Sequence, residues 1–465
     1  MTSKPKTLNV YLLTMINLAT ILSIRNWPLT AQYGFSSIFF IIMACTILLI
    51  PTSLVAAELA TGWPERGGIY VWVREALGKK FAFLAVFLLW IENVVWYPMI
   101  LSFVASTLSF VFNKDLAENA LYTYLVVLIV FWLSTLINSK GMKLSGWISS
   151  IGVNLGTLLP GTIIILIGVF WYFSGRPLEI EMNFDHFFPK FNSLSEFTFL
   201  AGIMLGFAGM EMSSVHANDV ENPQKNYPKA ILYSSLIIII FSTLGSLTIA
   251  MIIPENEISL TSGGIAVVYK VFSMFNLAQF VPVIALLVTI GALGSVSTWI
   301  AGPCRGLIAA AQEGDLPPFF RKLNKHEMPI RLMVCQGFIV TILATIILIA
   351  PSVSSSFWML IALTSQLYLL MYILMFIAGI VLRYKRPEKF RAYKVPFKNI
   401  GMWIVGSIGL LGSLFGFLIG FIPPTLMEGT SVALYEGFLI SGCVLFTFLP
   451  FAILRWQKKQ EKSLK

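Results

Sequence analysis

Apolar stretches of about 20 residues or more, parted by short polar connectors, run the length of the chain. They fall at roughly 8–33, 36–59, 81–112, 120–137, 146–173, 194–215, 230–253, 278–303, 332–350, 355–382, 401–422 and 432–454. A membrane-spanning helix needs about 20 apolar residues in a row, whereas a spanning strand needs about ten that alternate with polar ones. These runs therefore predict an all-α membrane protein with twelve transmembrane helices and exclude a β-barrel.

Two of the runs are interrupted. Residues 21–34 read ILSIRNWPLTAQYG and set Arg25, Asn26 and Pro28 where a membrane helix should carry hydrocarbon. A charge at that depth costs roughly 2.5–3.5 kcal/mol on insertion scales. Pro28 removes a donor and clashes with the preceding turn, so the helix should break just before it. Such a break is tolerable in a bilayer only where it lines a protein-walled cavity. Residues 201–214, AGIMLGFAGMEMSS, repeat the anomaly with Gly202, Gly206 and Gly209 ahead of Glu211. These glycines admit close backbone or ligand approach, although Gly202 and Gly206 also fit ordinary small-xxx-small helix packing. The interruptions fall in the first run of one set of five and the first run of the next, which points to an inverted-repeat transporter. An odd number of crossings per repeat turns the second copy upside down. The expected units are a first repeat at 1–173, a second at 174–382, and two peripheral helices with a short tail at 383–465.

Composition agrees with a polytopic membrane protein. Of the 465 residues 57% are hydrophobic and only 12% charged, against about 25% charged in a soluble domain; mean hydropathy is +0.82. The net charge of +10 does not imply nucleic acid, because of where the charge sits. With the amino terminus inside, 27 of the 32 Lys and Arg fall on inner connectors and tails, four fall outside, and Arg25 stays within a helix. That asymmetry predicts both termini in the cytoplasm. Cys45, Cys304, Cys335 and Cys443 lie far apart in or beside apolar runs, which reads as small core residues rather than a metal site or disulfide framework. No cleavable signal peptide is evident, and no N-x-S/T sequon occurs, which leans towards a bacterial inner membrane.

Other polar residues inside the runs are candidates for chemistry. Glu92, Asn93 and Pro98 sit well within the third run. A carboxylate there needs a partner or a proton, and Arg25 is the expected partner, either as a structural pair or as a pocket-lining, proton-carrying one. Glu58 reads as an interfacial charge. The segment 62–78, GWPERGGIYVWVREALG, predicts a short interfacial helix anchored by aromatic residues. Ser295, Ser297 and Thr298 are favoured as packing hydroxyls over ion ligands, and Trp299 sits too deep to be an interfacial anchor. Tyr368 and Tyr372, at i and i+4, point the same way, and their phenols need partners. His186 reads as an exposed loop residue. The chain carries no HExxH, GxSxG or GxGD, and neither His216 nor His326 has an obvious ligand partner, which argues against an intramembrane enzyme.

Three stretches together, AELATGWPERGGIYVWV (57–73), FAGMEMSSVHANDVENPQKNYPKA (207–230) and WIAGPCRGLIAAAQEGDLPPFF (299–320), resemble the amino acid–polyamine–organocation superfamily, and most the bacterial glutamate/GABA antiporter branch. The resemblance implies a leucine-transporter-like 5+5 inverted repeat with helices 1 and 6 broken and helices 11 and 12 outside. Carried over by position, it implies a substrate site at Ser23, Ile24, Arg25, Asn26, Phe207, Ala208, Gly209, Trp299, Tyr368 and Tyr372, with Glu92 and Glu211 as proton or gate carboxylates. The chain departs from the family pattern at Ile21, Leu22 and Ser23, where many relatives carry Gly-Ser-Gly, and at Arg25, where the glutamate/GABA branch has an aromatic. It also lacks the helix 5 lysine of some relatives. The implied function is amino acid antiport by alternating access, with an ion-coupled symporter, an amino acid sensor and a passive channel as competitors. Its partners would be an amino acid and the bilayer, with no cofactor or metal and no nucleic acid, the protein acting as monomer or homodimer. The helix ends at the breaks suit the carboxylate and ammonium of a zwitterion, and Arg25 should favour acidic or neutral substrates over cationic ones.

Overall fold

The computed structural model describes residues 8–65, 67–141, 151–189, 197, 198, 200–212, 220–423 and 431–463. Fifteen helices organise them: α1 (Val10–Ile21), α2 (Trp27–Ala31), α3 (Gly34–Gly62), α4 (Ile69–Leu77), α5 (Lys79–Phe112), α6 (Ala120–Asn138), α7 (Asn154–Phe173), α8 (Leu200–Gly206), α9 (Pro223–Ile252), α10 (Gly263–Met274), α11 (Ala278–Gln312), α12 (Ile330–Ile349), α13 (Val353–Lys385), α14 (Lys398–Ile419) and α15 (Val432–Ser463). Ten of them, among the described residues, are long and apolar enough to cross a membrane. They coincide with ten of the predicted runs. The other two runs, 8–33 and 194–215, are the interrupted ones and, among the described residues, yield the short α1, α2 and α8. The structure adds α10, which hydropathy passed over because it is too short to span. Leu8 pairs with Val220 in an isolated bridge, and Glu221 N–H donates to the Leu8 carbonyl at 3.0 Å, so the entry to α1 is tied to the chain beyond the second break.

The core is built on α5 and α13, whose apolar windows are 94% and 72% buried. α6 and α15 lie at the rim, with 22% of their windows buried. Every residue of α5 from Ala82 to Val95 is buried, so this helix is apolar all round except where Glu92 and Asn93 interrupt it.

Prolines shape three of the helices. α3 opens into a π-turn at Cys45–Leu49 just before Pro51, and a second π-turn at Gly152–Leu158 leads into Pro160. Widening the ladder there relieves the clash between the proline ring and the carbonyl four residues back. In α5, Pro98 is carried without a break, and Ser102 Oγ donates back to the Pro98 carbonyl one turn earlier at 2.8 Å.

α7 and α11 cross with their backbones in contact. A Cβ on Gly156 would lie 2.1 Å from the Gly291 nitrogen, and one on Gly152 would lie 2.8 Å from the Gly294 Cα. Small residues at a crossing let two membrane helices approach this closely. Ser297 Oγ packs on the same side, donating to Asn138 Oδ1 at 3.1 Å, in keeping with a packing hydroxyl. The Thr298 side chain, His216 and the 146–150 end of the fifth run lie outside the described residues.

At the end of the molecule where α3, α4 and α13 terminate, the structure corrects one expectation. Glu58 is 1% exposed rather than interfacial: Oε2 lies 2.6 Å from Arg383 Nη2 and accepts from Val395 N–H at 2.7 Å, while Oε1 lies 3.4 Å from Arg391 Nε. Both guanidinium groups come from residues beyond 380, so their convergence on α3 could not be read from spacing. α4 forms where the interfacial helix was predicted, but it buries Tyr70 and Trp72 against protein. Tyr70 Oη donates to Asp315 Oδ2 at 2.7 Å, and Lys79 Nζ stands 3.3 Å from Asp315 Oδ1. Burial pushes the Asp315 carboxyl above its ordinary value, while the Tyr70 hydrogen bond and the Lys79 charge pull it back. Cys45, Cys304 and Cys443 are buried, as expected of core residues, whereas Cys335 is only half-buried.

Candidate functional site

The first break lies at Leu22 and Ser23. α1 closes with Leu22 N–H on the Leu18 carbonyl, both break residues take extended backbone angles, and a 3₁₀ turn at Ile24–Asn26 restarts the helix into α2. Pro28 falls in the first turn of α2, where its missing N–H costs nothing. Trp27 holds α2 in place: it is 1% exposed, its ring is 5.3 Å from Phe241, and Gly245 on α9 leaves it room.

The second break follows α8. Gly209 has φ of +115°, a conformation that L side chains rarely adopt, and the chain then makes a single 3₁₀ turn at 210–212. The three glycines divide their roles. A Cβ on Gly202 would strike Leu29 and Trp358, which is packing. At Gly206 it would meet the Asn26 side chain, whose Nδ2 donates to the Gly206 carbonyl at 3.4 Å. That bond joins the two breaks directly.

Where the breaks meet, a cavity opens with about 50 Å³ of room for water centres, enough in that measure for a few water molecules. Ser23, Arg25, Asn26, Glu92, Ala208, Trp299 and Tyr368 line it, so seven of the twelve site residues that the resemblance implied share one wall space. Ile24 turns away and packs towards Gly264 of α10. Phe207 is buried beside the cavity without lining it. Gly209, Glu211 and Tyr372 form the layer behind. Gly209 N–H, released from the helix ladder, donates to Tyr372 Oη at 2.9 Å, and Tyr372 Oη donates to Glu211 Oε2 at 2.7 Å. Tyr368 donates to the other carboxylate oxygen. The two rings stack at 4.7 Å and 11°, so the shared direction expected from their spacing exists and ends on one buried acid.

The expected Arg25–Glu92 ion pair is absent among the described residues. Arg25 is 7% exposed and places its guanidinium 5.5 Å from the Trp96 ring centroid, with Nη1 donating to Met99 Sδ at 2.8 Å and Nε without a partner. Glu92 instead accepts from the Asn93 side-chain amide. Helix geometry accounts for the difference. Trp96 and Met99 lie one and two turns beyond Glu92 on α5, and the break sets Arg25 level with them. A desolvated cation over Trp gains about 2 kcal/mol, and a thioether is a weak acceptor. Arg25 is therefore a charge only partly compensated, on the wall of a cavity.

Sequence reasoning missed Thr20, Trp96, Ile100, Leu205 and Ser295 as lining residues. Glu92, Trp96 and Ile100 repeat every four residues and so share a face of α5, a signal that was available once Glu92 was chosen. Ser295 bonds back to the Gly291 carbonyl at 3.4 Å, as a packing hydroxyl does, yet also borders the cavity. The arrangement offers a guanidinium, two buried carboxylates and the loose ends of two helices within one small space. Those are complements for the carboxylate and ammonium of a zwitterion.

Comparison with known proteins agrees with this chemistry. Residues 7–448 match the family of amino acid permeases. An uncharacterized transporter of Legionella pneumophila is 42% identical over 464 residues, covering 100% of this chain and 99% of the relative. The glutamate/gamma-aminobutyrate antiporter of Lactococcus lactis strain IL1403 is 34% identical over 446 residues, 95% of this chain and 88% of the relative. A probable agmatine/putrescine antiporter of the same strain is 26% identical over 429 residues, 91% and 90% of the two chains.

Proposed function

The chain belongs to the amino acid permease family of the amino acid–polyamine–organocation superfamily, and from that premise we propose that it is an amino acid antiporter of the glutamate/GABA type. It is an integral membrane transporter by family and by its apolar helices. The observation that supports an acidic or neutral substrate is Arg25, a guanidinium with no ion pair among the described residues, on the cavity where the two interrupted helices meet, at a position where the glutamate/GABA branch has an aromatic. The 34% identity to the Lactococcus glutamate/gamma-aminobutyrate antiporter supports the same reading.

In this proposal the chain crosses the bacterial inner membrane twelve times with both termini in the cytoplasm, in keeping with its Lys and Arg asymmetry. Residues 1–173 and 174–382 are the two inverted repeats, and α14 and α15 stand outside them. The substrate carboxylate takes the start of the restarted helix at Ile24–Asn26, with Arg25 beside it. The ammonium takes carbonyl ends at the two breaks. Glu92 and Glu211 act as proton-handling or gating acids. Transport proceeds by rocking of one repeat against the other around the site.

Purified protein in vesicles loaded with unlabelled amino acids, challenged outside with labelled glutamate, tests the reading. Label should enter only when glutamate, GABA or a related neutral amino acid is inside, and cationic amino acids inside should not drive it. Entry into empty vesicles under a pH or sodium gradient would make the protein a symporter. Binding without flux would make it a sensor.

A further inference from the structure

A second concavity lies far from the transport site, at the Lys- and Arg-rich end of the helices. It is a groove of about 650 Å³ between the start of α5, the turn after α11 and the last turns of α15. One wall is apolar: Phe448, Phe451 and Leu454. Phe448 is 64% exposed and continues an outward stripe through Val444 and Leu445 along α15. The other wall is basic. Of its cations, Lys79 is committed to Asp315, but Lys80, Arg455 and Lys458 have no carboxylate partner among the described residues. Between the walls sits Gln457, 7% exposed, whose buried Nε2 has no hydrogen-bond partner although it borders the groove. An amide buried without a partner marks a place where a polar group belongs.

We propose that this groove binds an anionic phospholipid, its phosphate held by Lys80, Arg455, Lys458 and the Gln457 amide and its acyl chain laid on Phe448 and Phe451. The geometry fits a lipid rather than a soluble anion. From Phe448 to Lys458 is ten residues, about 15 Å of helix, so the groove passes from hydrocarbon contact to charge over the depth of a headgroup region. A free phosphate would leave the aromatic wall uncovered. Three uncompensated cations select a net-negative headgroup over a zwitterionic one, since each cation near an anionic surface strengthens binding about fivefold. A bound lipid would clamp α15 to the turn between α11 and α12.

Trp456, half exposed beside Arg455, supplies a probe. The full-length protein is placed in phosphatidylcholine nanodiscs containing brominated phosphatidylglycerol or brominated phosphatidylcholine at equal mole fraction. The Trp456 signal is the difference between the native chain and W456F. Brominated phosphatidylglycerol should quench it several-fold more effectively than brominated phosphatidylcholine. The triple change K80Q/R455Q/K458Q should erase that preference, and K80R/R455K/K458R, which keeps the charges, should retain it. K322Q/K325Q, on another exposed basic segment, should leave it unaltered. Equal quenching by both lipids, a preference that survives the triple neutralisation, or one lost with K322Q/K325Q would overturn the proposal. So would full competition by millimolar inorganic phosphate, which would assign the groove to a soluble anion.

Discussion

Arg25 shows how much a single residue can decide. Its charge was legible in the sequence as an anomaly in an apolar run, but its partner was not. The chain offered Glu92 and the fold chose Trp96 and Met99, because the break at Leu22 and Ser23 resets which turn of α5 the side chain meets. A guanidinium acting on a substrate charge about 6 Å away, at an effective dielectric near 20, contributes roughly 2–3 kcal/mol. Arg25→Ala should therefore shift the ratio of glutamate to arginine uptake by about 30- to 150-fold towards arginine; an unchanged ratio in competition assays would remove Arg25 from substrate selection. The tyrosines allow a finer contrast. Tyr372 bridges Gly209 N–H and Glu211, whereas Tyr368 meets Glu211 alone among the bonds described. Tyr372→Phe strands a buried N–H, a loss of about 1–3 kcal/mol. It should lower thermal stability and uptake more than Tyr368→Phe, and the reverse order would show that Gly209 finds another acceptor.

Helices that break are more informative here than helices that run through. Proline and glycine announced both breaks in the sequence, but the first falls at Leu22 and Ser23, upstream of the position just before Pro28 where it was expected, because the proline fits the first turn of the restarted helix. What composition could not separate was the purpose of each glycine, since packing, close approach and positive φ all select the same residue. Gly209 needs its backbone conformation, so Gly209→Ala should depress transport and stability even though a methyl is the smallest possible addition. Gly156 needs only space, but it meets backbone, which cannot rotate away. Gly156→Val should all but abolish recovery of folded protein in detergent, because α7 would be forced off α11. Gly437→Ala provides the contrast: nothing lies within 4 Å of its would-be Cβ, so a helical alanine should be neutral or stabilise slightly. Equal recovery of the Gly156 and Gly437 variants would refute the close crossing.

The molecule as a whole is held at its basic end by contacts between segments more than 300 residues apart. Glu58 receives Arg383 and Arg391 in nearly complete burial, and Arg391 also lies over the Trp63 ring at 5.1 Å. Removing one partner of such a cluster leaves a buried charge uncompensated, at a cost of about 3–5 kcal/mol. Glu58→Gln should lower the melting temperature of the purified protein markedly, whereas Glu65→Gln, in an exposed pair with Arg74, should change it little. Similar melting for the two variants would show that the cluster is solvated in the working protein.

Hydropathy alone determined that the chain is helical and embedded in a membrane, and where ten of its helices run, because lipid leaves a backbone only helices or closed barrels in which to satisfy its amides, and long unalternating apolar runs exclude the barrel. It also marked both interruptions, because proline, glycine and charge disrupt a helix through short-range sterics and desolvation that depend on neighbouring residues only. The fold alone decided that Glu211 lies under two tyrosines, that Arg25 rests on Trp96 rather than Glu92, and that Glu58 is a buried hub. Those pairings join segments 70 to 330 residues apart, and which faces meet depends on the crossings of whole helices, for which local spacing carries no signal.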